Sequence, residues 1–328
     1  MKNNIKISSL QMGFITFFLS QVAFFPLVSS LMFKSSKQNI WISIIVGFIL
    51  GLSILKLFLK FQEKLVDTNI IEYNLKKFGK IFGNLINFII TSIVTLITIS
   101  IFSKFCIFIN LNYLPDVSII ILGIVFILIG VYAVKKGVQS IARTSQILGI
   151  ISIILFICSI LLNAYNFDFN NVLPIFENNI GNVFISSIYY ALSSTIPIFL
   201  LSIFSKNIVL EQEKYNKSLI WGYIISSVVI FIIMVTTLLI LGKNLIISFE
   251  YPEYIAFKQI QYFHFIERLE NIFSAIWIFN VFIFIAISIY FINEYIKKQF
   301  NLKKDSYIIL GLIGIILILL TNIIIFIK

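Results

Sequence analysis

Long apolar stretches separated by short polar ones dominate the chain. Nine of these stretches hold about 20 mostly apolar residues each, which is the length that a helix needs to cross the hydrocarbon core of a bilayer. They lack the alternation of polar and apolar residues that is typical of strands in membrane barrels. The pattern predicts nine transmembrane helices, near residues 10–33, 39–59, 83–110, 117–134, 144–164, 183–205, 218–242, 271–293 and 306–327.

The predicted fold is all-α and integral to the membrane, because an isolated strand cannot satisfy its backbone polar groups in lipid. The stretches outside the spans do not form a soluble domain, so residues 1–328 are predicted to be one transmembrane domain. The stretch before the third span mixes lysines with Ile, Leu and Phe at helical spacing, which predicts a helix at the cytoplasmic membrane surface. Aromatic residues between 251 and 265 predict contact with the outer headgroup layer.

Composition and charge exclude a soluble or nucleic-acid-binding protein. The chain is 59% hydrophobic and 12% charged, far from the quarter or so of charged residues that soluble domains carry. Its net charge is +11, but a cytoplasmic N-terminus places 17 basic residues on the cytoplasmic side and six on the other. This asymmetry follows the positive-inside rule. The basic residues are therefore predicted to set orientation and to contact anionic membrane lipid, with no nucleic-acid partner.

Two predicted spans contain a proline, and these spans open the two halves of the chain. Pro26 lies in the first span and Pro197 in the sixth. Proline lacks the backbone N–H and clashes with the carbonyl four residues back, so each one predicts a break in its helix. Broken helices at matching positions of two repeats indicate a transporter-type binding site, although a simple packing kink is the alternative. The small or polar neighbours of the breaks are Ser20, Gln21, Ala23, Ser193, Ser194 and Thr195.

The sequence shows no catalytic or metal-binding constellation. There is one His, and the two cysteines, Cys106 and Cys158, both fall inside spans without a Cys-x-x-Cys spacing. No Asp or Glu lies deep in a predicted span, which argues against a proton relay through buried carboxylates. We therefore expect no enzyme activity, no catalytic residue, no metal and no cofactor.

A motif that combines aromatic and charged residues precedes and enters the eighth span. It reads Tyr-Pro at Tyr251 and Pro252, then Glu267, Arg268 and Glu270, and ends at Trp277. Carboxylates are favoured in the first turns of a helix, and an arginine fork can bind a carboxylate or loop carbonyls. These residues predict a rigid outer docking surface or lid. The alternative is a plain helix cap with an aromatic belt.

This motif resembles the signature of the B subunit of spore germination receptors, which belongs to the endospore germination permease family of the amino acid–polyamine–organocation superfamily. Weaker similarities extend over the rest of the chain. The resemblance implies an amino-acid-permease fold of two inverted five-helix repeats, with ten spans; here the tenth is expected to be lost or truncated. It also implies a receptor in the inner spore membrane that binds a small-molecule germinant. Its partners would be a larger A subunit and a C-subunit lipoprotein.

The chain departs from the family at both breaks. Val22, Ala23 and Phe24 stand where the family usually has small residues, and Ser193 and Thr195 stand where it often has a Gly and a Glu. We expect any ligand to lie between these breaks, and span three adds Val94 and Thr98 as candidate wall residues. Two alternatives stay open: a stand-alone amino acid/cation transporter of the same fold, and a receptor scaffold that binds no ligand.

Overall fold

A computed structural model of the chain describes residues 6–65, 67–174, 180–258, 270–302 and 307–327. Within these ranges the secondary structure is helical, and the only strand-like feature is an isolated bridge between Ile7 and Val209. The α-helices are α1 Ser9–Val22, α2 Phe24–Leu27, α3 Ser29–Ser36, α4 Ile40–Gln62, α5 Ile70–Asn112, α6 Ile119–Lys136, α7 Val138–Asn163, α8 Ile180–Thr195, α9 Gln212–Leu245, α10 Pro252–Lys258, α11 Glu270–Gln299 and α12 Tyr307–Ile327.

Nine helical stretches in the described ranges are long and apolar enough to cross a membrane, as the hydrophobic pattern predicts. The division between the first and second spans differs from the sequence-based prediction. The first stretch is Ser9–Leu27, and the second is Ser29–Leu65. The hydrophobic pattern assigns the residues up to 33 to the first span, but the helix that contains them continues into the second. The division falls at Val28, whose φ of −123° and ψ of −33° interrupt the helix.

Polar side chains fix where several helices begin. Ser8 and Gln11 form a reciprocal capping box at the start of α1, with distances of 3.1 and 3.2 Å between each backbone nitrogen and the other residue's side-chain oxygen. The Asn69 side chain accepts a hydrogen bond from the Glu72 N–H at 2.9 Å and caps α5 in the same manner. These caps satisfy donors that a helix N-terminus otherwise leaves without a partner.

The helix at the start of α5 is not separate from the third span. α5 runs from Ile70 to Asn112 and changes direction at Gly79, where φ is 75° and ψ is 178°. This backbone conformation is essentially restricted to glycine, so Gly79 lets an amphipathic first segment meet the spanning segment at an angle. Ile81 and Phe82, just beyond the bend, are among the most exposed apolar side chains of the chain.

Burial distinguishes central from peripheral helices. Of the most apolar part of each span, 78% is buried in the first and 72% in the eighth, against 28% in the fifth and in the ninth. The first, sixth, seventh and eighth spans therefore form the centre of the bundle, and the ninth presents most of its surface to lipid. Both broken helices, α1–α2 and α8 with its continuation, belong to the central group.

Polar contacts tie the ends of the bundle together. At one end, the Ile7 N–H donates to the Ile208 carbonyl at 2.8 Å, and the Leu210 N–H donates back to the Ile7 carbonyl at 2.9 Å. The Ser9 N–H donates to the Glu211 carboxylate at 2.9 Å and lowers the pKa of that exposed carboxyl. The segment before α1 is thereby joined to the segment before α9.

Candidate functional site

The first span is interrupted on both sides of its proline. α1 ends at Val22, Ala23 caps it, and the four-residue α2 carries Pro26 before the chain leaves helical geometry again at Val28. Pro26 has no backbone N–H to donate to the carbonyl of Val22. The structure thus places a break at the position where the sequence predicts one.

The sixth span changes its type of helix at its own proline. α8 ends at Thr195, and residues Ile196–Ile203 continue as a 3-10 helix that has Pro197 at its second position. Eight residues are long for a 3-10 helix, which usually runs for three or four. The change begins directly after Ser193, Ser194 and Thr195, the residues that the sequence singles out at this break.

Most of the candidate hydroxyls donate within their own helices. Ser20 donates to the carbonyl of Thr16 at 2.7 Å, and Thr98 donates to that of Val94 at 2.8 Å. At the second break, Ser193, Ser194 and Thr195 bond carbonyls of the preceding turn at 3.1, 2.8 and 2.7 Å. These hydroxyls can still accept a hydrogen bond from a ligand, but their single donor is already used.

Gln21 differs from the other polar candidates. Its side chain is fully buried one residue before the end of α1, and neither its Oε1 nor its Nε2 has a hydrogen-bond partner among the described residues. Asn280 of α11 is in the same condition, with both amide atoms buried and without a partner in the described part of the chain. Buried polar groups are normally paired, so two unsatisfied amides in the bundle indicate a water or ligand site.

Both amides lie on the same side of one aromatic contact. Phe25 and Phe273 are in edge-to-face contact at 5.3 Å and tie the first span to α11. Consecutive spans cross in opposite directions, so the first and eighth spans run antiparallel. Gln21 precedes Phe25 and Asn280 follows Phe273, so in antiparallel spans both amides are displaced from this contact in the same direction. At about 1.5 Å of rise per residue, the displacement along the span is roughly 6 Å for Gln21 and roughly 10 Å for Asn280. Asn280 was not predicted as a site residue from the sequence, where it is one polar residue in an apolar run.

Phe24 fills space between the two breaks. Its ring is fully buried and packs edge-to-face against Phe25 at 5.4 Å and against Tyr190 of α8 at 5.6 Å. A small residue here, as the family pattern has, would leave that volume open. An apolar ring therefore occupies the space between the first break and Tyr190.

A cavity of about 390 Å³ borders the second break alone. Val94, Thr195 and Pro197 line it, so three predicted residues meet there, whereas Thr98 and the residues of the first break are not among its walls. The remaining walls are apolar side chains of α4, α5, α8, the 3-10 segment and α11, and several of them are exposed on the surface of the bundle. This cavity can accept an acyl chain or another apolar group, but it offers little to a polar ligand.

The motif of aromatic and charged residues at the eighth span is described in part. Pro252 begins α10 and Glu270 begins α11, as the motif predicts, while Glu267 and Arg268 lie outside the described residues. Trp277 is 1% exposed and packs against Phe108 and Tyr251 at centroid distances of 4.3 and 5.8 Å. The motif's tryptophan is thus the centre of a buried aromatic cluster.

Two aromatic residues do not lie where the sequence analysis placed them. Tyr251 and Tyr254 were predicted to contact the outer headgroup layer, but they are 9% and 3% exposed. Both pack against Phe108 of α5, at 5.1 and 5.3 Å. An amphipathic ring fits an interface and a protein core equally well, and here α10 folds back onto the bundle and buries it.

Glu253 is a buried acid that the sequence analysis missed. It is 1% exposed, its Oε1 has no hydrogen-bond partner among the described residues, and the hydroxyl of Ser29 faces the carboxyl. Burial raises the pKa of Glu253 to about 7. The Ser29 hydroxyl donates to the Phe25 carbonyl at 3.1 Å, so it is left as an acceptor for a protonated Glu253 carboxyl. A carboxyl that follows Tyr-Pro in an aromatic stretch gave no sequence signal for burial.

The family model described as "Spore germination protein" matches residues 6–326. The chain is also 27% identical over 262 residues to YfkT of Bacillus subtilis (strain 168), a protein named as a spore germination protein. That alignment covers 80% of this chain and 71% of the relative.

Proposed function

This chain belongs to the spore germination protein family, and we propose that it is the membrane-embedded B subunit of a nutrient germinant receptor. In this role it binds a small, amino-acid-like molecule, and the binding triggers germination. The pair of breaks in the first and sixth spans, with the unsatisfied Gln21 amide beside the first, carries the proposal. Matched broken helices are the best indication of a central site in proteins built from two repeats.

The proposal includes an amino-acid-permease architecture of two inverted five-helix repeats. The broken spans take the opening position of each half, and both belong to the buried centre of the bundle. The N-terminus would be cytoplasmic, in the inner membrane of the spore, because the basic residues concentrate on that side. An A subunit and a C-subunit lipoprotein would complete the receptor.

The residues at the breaks favour a small dipolar or uncharged polar ligand. No charged side chain is among the candidates, so an ammonium or carboxylate would be held by backbone groups at the helix ends and by the Gln21 amide. Ser193, Ser194 and Thr195 contribute acceptor lone pairs, since their hydroxyl protons are already donated. Phe24 restricts the size of the ligand.

A dose–response curve for germination, measured at matched protein level, tests the proposal. Phe24→Gly should broaden the range of effective germinants or lower the concentration for half-maximal response, because it opens the volume beside Tyr190. Thr195→Val keeps the shape and removes the hydroxyl, and it should raise that concentration. Curves that match the parent in both variants would reject a ligand site at the breaks.

One observation favours a second candidate, a scaffold subunit that binds no ligand. Phe24 already packs against Phe25 and Tyr190 without leaving an opening to α8. In that case Phe24→Gly would only lower the amount of folded protein. A stand-alone amino acid/cation transporter is separated from both by measuring uptake into vesicles that contain this chain without partners.

A further inference from the structure

The outer helix α10 covers the junction where the first span is broken. Five of its seven residues are buried: Pro252, Glu253, Tyr254, Ala256 and Phe257. The helix packs against α9 and α11, and the Glu253 carboxyl faces Ser29, the first residue after the irregular Val28. A helix outside the spans therefore contributes a buried acid to a point where a spanning helix changes direction.

A continuous series of aromatic contacts connects α10 to both breaks. Phe257 stacks on Phe273 at 5.9 Å, and Phe273 meets Phe25 at 5.3 Å. Phe25 then contacts Phe24 at 5.4 Å, and Phe24 contacts Tyr190 of α8 at 5.6 Å. Movement of α10 away from the bundle would remove the first ring of this series and loosen the packing of the rest.

Among the residues that the structure describes, no charged side chain is paired with the Glu253 carboxyl to stabilise its ionised form. None of the titratable groups that surround it forms an ion pair with it in the described ranges. These groups include Lys34 of α3, Lys104 and Tyr113 of α5, Lys243 of α9, Glu270 of α11, and Glu250, Tyr251, Tyr254 and Lys258 on or beside α10. Glu250 is instead paired with Lys104 at 2.5 Å, and Lys258 lies 5.9 Å from the Tyr254 ring. An unpaired buried carboxylate is costly, and a neutral carboxylic acid is much less so.

We propose that Glu253 is a proton-binding residue that controls closure of α10 over the broken first span. When the carboxyl is protonated, α10 stays packed on Phe273 and Ser29. When the proton leaves to water, the carboxylate gains hydration by moving outward, and α10 moves with it. This movement of α10 controls whether solutes on the outer side can reach the broken first span. It does not depend on which molecule binds at the breaks.

The direction and range of the pH effect follow from the two states of the carboxyl. In the closed state its pKa is about 7, and in an open, hydrated state it has the ordinary value of 4.5. The closed state binds the proton more tightly, so it is favoured most below pH 4.5. The equilibrium constant for closing then falls tenfold per pH unit up to about pH 7, and above that pH it stays constant. The equilibrium for opening should therefore rise roughly 300-fold across this window.

Accessibility of a buried position on α10 reports the opening. Ala256 is 0% exposed, so Ala256→Cys in a Cys106→Ala, Cys158→Ala background should react with an impermeant maleimide only when α10 lifts. The labelling rate of Ala256→Cys, measured on the full-length chain in nanodiscs, is divided by the labelling rate of Ser248→Cys, an exposed position before α10. This ratio removes the pH dependence that comes from ionisation of the thiol itself. We expect the corrected rate to rise between pH 5 and 7 and to level off above.

Two substitutions separate Glu253 from other titrating groups. Glu253→Gln should give a low rate that does not change with pH. Glu250→Gln alters an exposed carboxyl three residues before Glu253 that is paired with Lys104, and it should keep the pH dependence. A parent rate that is flat from pH 5 to 8, or a dependence that survives in Glu253→Gln, would overturn the proposal. Stabilisation by Na⁺ or K⁺ at pH 8 that Glu253→Gln abolishes would also overturn it, in favour of a cation site.

A second readout avoids reliance on a substitution inside α10. Trp277 is 1% exposed and lies 5.8 Å from Tyr251, the residue before α10, and 6.4 Å from Phe273, on which Phe257 of α10 stacks. With Trp41 and Trp221 replaced by Phe, acrylamide quenching of Trp277 should increase between pH 5 and 7, and Glu253→Gln should remove the increase. Quenching that is independent of pH in the parent would contradict opening of α10.

Discussion

Gly51 of α4 should be intolerant of even a methyl group, because α4 meets α8 and α9 at that point. A Cβ at Gly51 would lie 2.0 Å from the Tyr223 hydroxyl oxygen, 3.1 Å from Tyr223 Cζ and 3.4 Å from Cγ2 of Thr195. Tyr223 cannot move aside freely: it is fully buried, stacks on Phe48 at 5.8 Å, and its hydroxyl lies 3.2 Å from that of Ser194. Gly51→Ala therefore forces a shift at the second break.

The expected loss of stability follows from two opposing effects. Replacing a helical glycine by alanine gains about 1 kcal/mol, while overpacking a close-packed core usually costs about 1–3 kcal/mol. A contact of 2.0 Å against a restrained ring belongs at the upper end of that range. We therefore expect net destabilisation of about 1–2 kcal/mol, visible as a lower melting temperature of the full-length chain in detergent.

Three variants make the interpretation specific. Gly311→Ala in α12 meets no atom within 4 Å, so it should leave the melting temperature unchanged or raise it. Tyr223→Phe removes the atom nearest to the new methyl group and should recover part of the loss in the Gly51→Ala double variant. It should not rescue Gly47→Ala, whose Cβ would lie 2.6 Å from the carbonyl oxygen of Ser187.

The result that refutes this reasoning is additivity. If Gly51→Ala and Tyr223→Phe change the melting temperature independently, the two residues are not in the contact that the structure gives them. A Gly51→Ala variant as stable as the parent would lead to the same conclusion. Either outcome would also remove the close approach of α4 to Thr195 at the second break.

Two further predictions concern stability and use matched controls measured by the same thermal assay. Gly242→Ala should destabilise the chain more than Gly137→Ala. Both residues have the positive φ that favours glycine. Only at Gly242 would the new Cβ meet a neighbour, Asn171 Oδ1 at 2.8 Å. Equal losses would contradict the contact. Trp277→Ala should lower the free energy of unfolding by about 3–5 kcal/mol because it empties the aromatic cluster. Trp221→Ala, at a residue that is 61% exposed, should lower it only slightly. Similar losses in the two variants would show that Trp277 is not buried.

The spans and the positions of their breaks could be predicted because their causes are local. An apolar run of sufficient length specifies a membrane helix wherever it occurs, and Pro26 and Pro197 interrupt the helix through their own rings. The lengths of the pieces could not be predicted in the same way. The short α2 and the 3-10 helix after Thr195 depend on how the segments pack on neighbouring spans.

The chemistry of the candidate site depended on contacts between distant residues. Gln21 and Ser20 look alike in the sequence, yet Ser20 donates to its own helix and Gln21 reaches no partner in the described structure. Asn280 gains meaning only because α11 packs against the first span. Glu253 would be an ordinary surface acid if α10 did not fold back onto Ser29.

Ligand binding to the purified full-length chain tests the site at the breaks most directly. Melting temperatures in nanodiscs would be compared with and without a panel of amino acids and small polar molecules, for the parent, for Gln21→Leu and for Asn244→Leu, an exposed amide as control. Removing the unsatisfied amide should make Gln21→Leu at least as stable as the parent without ligand. We predict that some member of the panel stabilises the parent and Asn244→Leu saturably, by about 2.7 kcal/mol at 100 times its Kd, and does not stabilise Gln21→Leu. Equal stabilisation of Gln21→Leu, or no stabilisation of the parent by any member, would contradict a ligand site beside the first break.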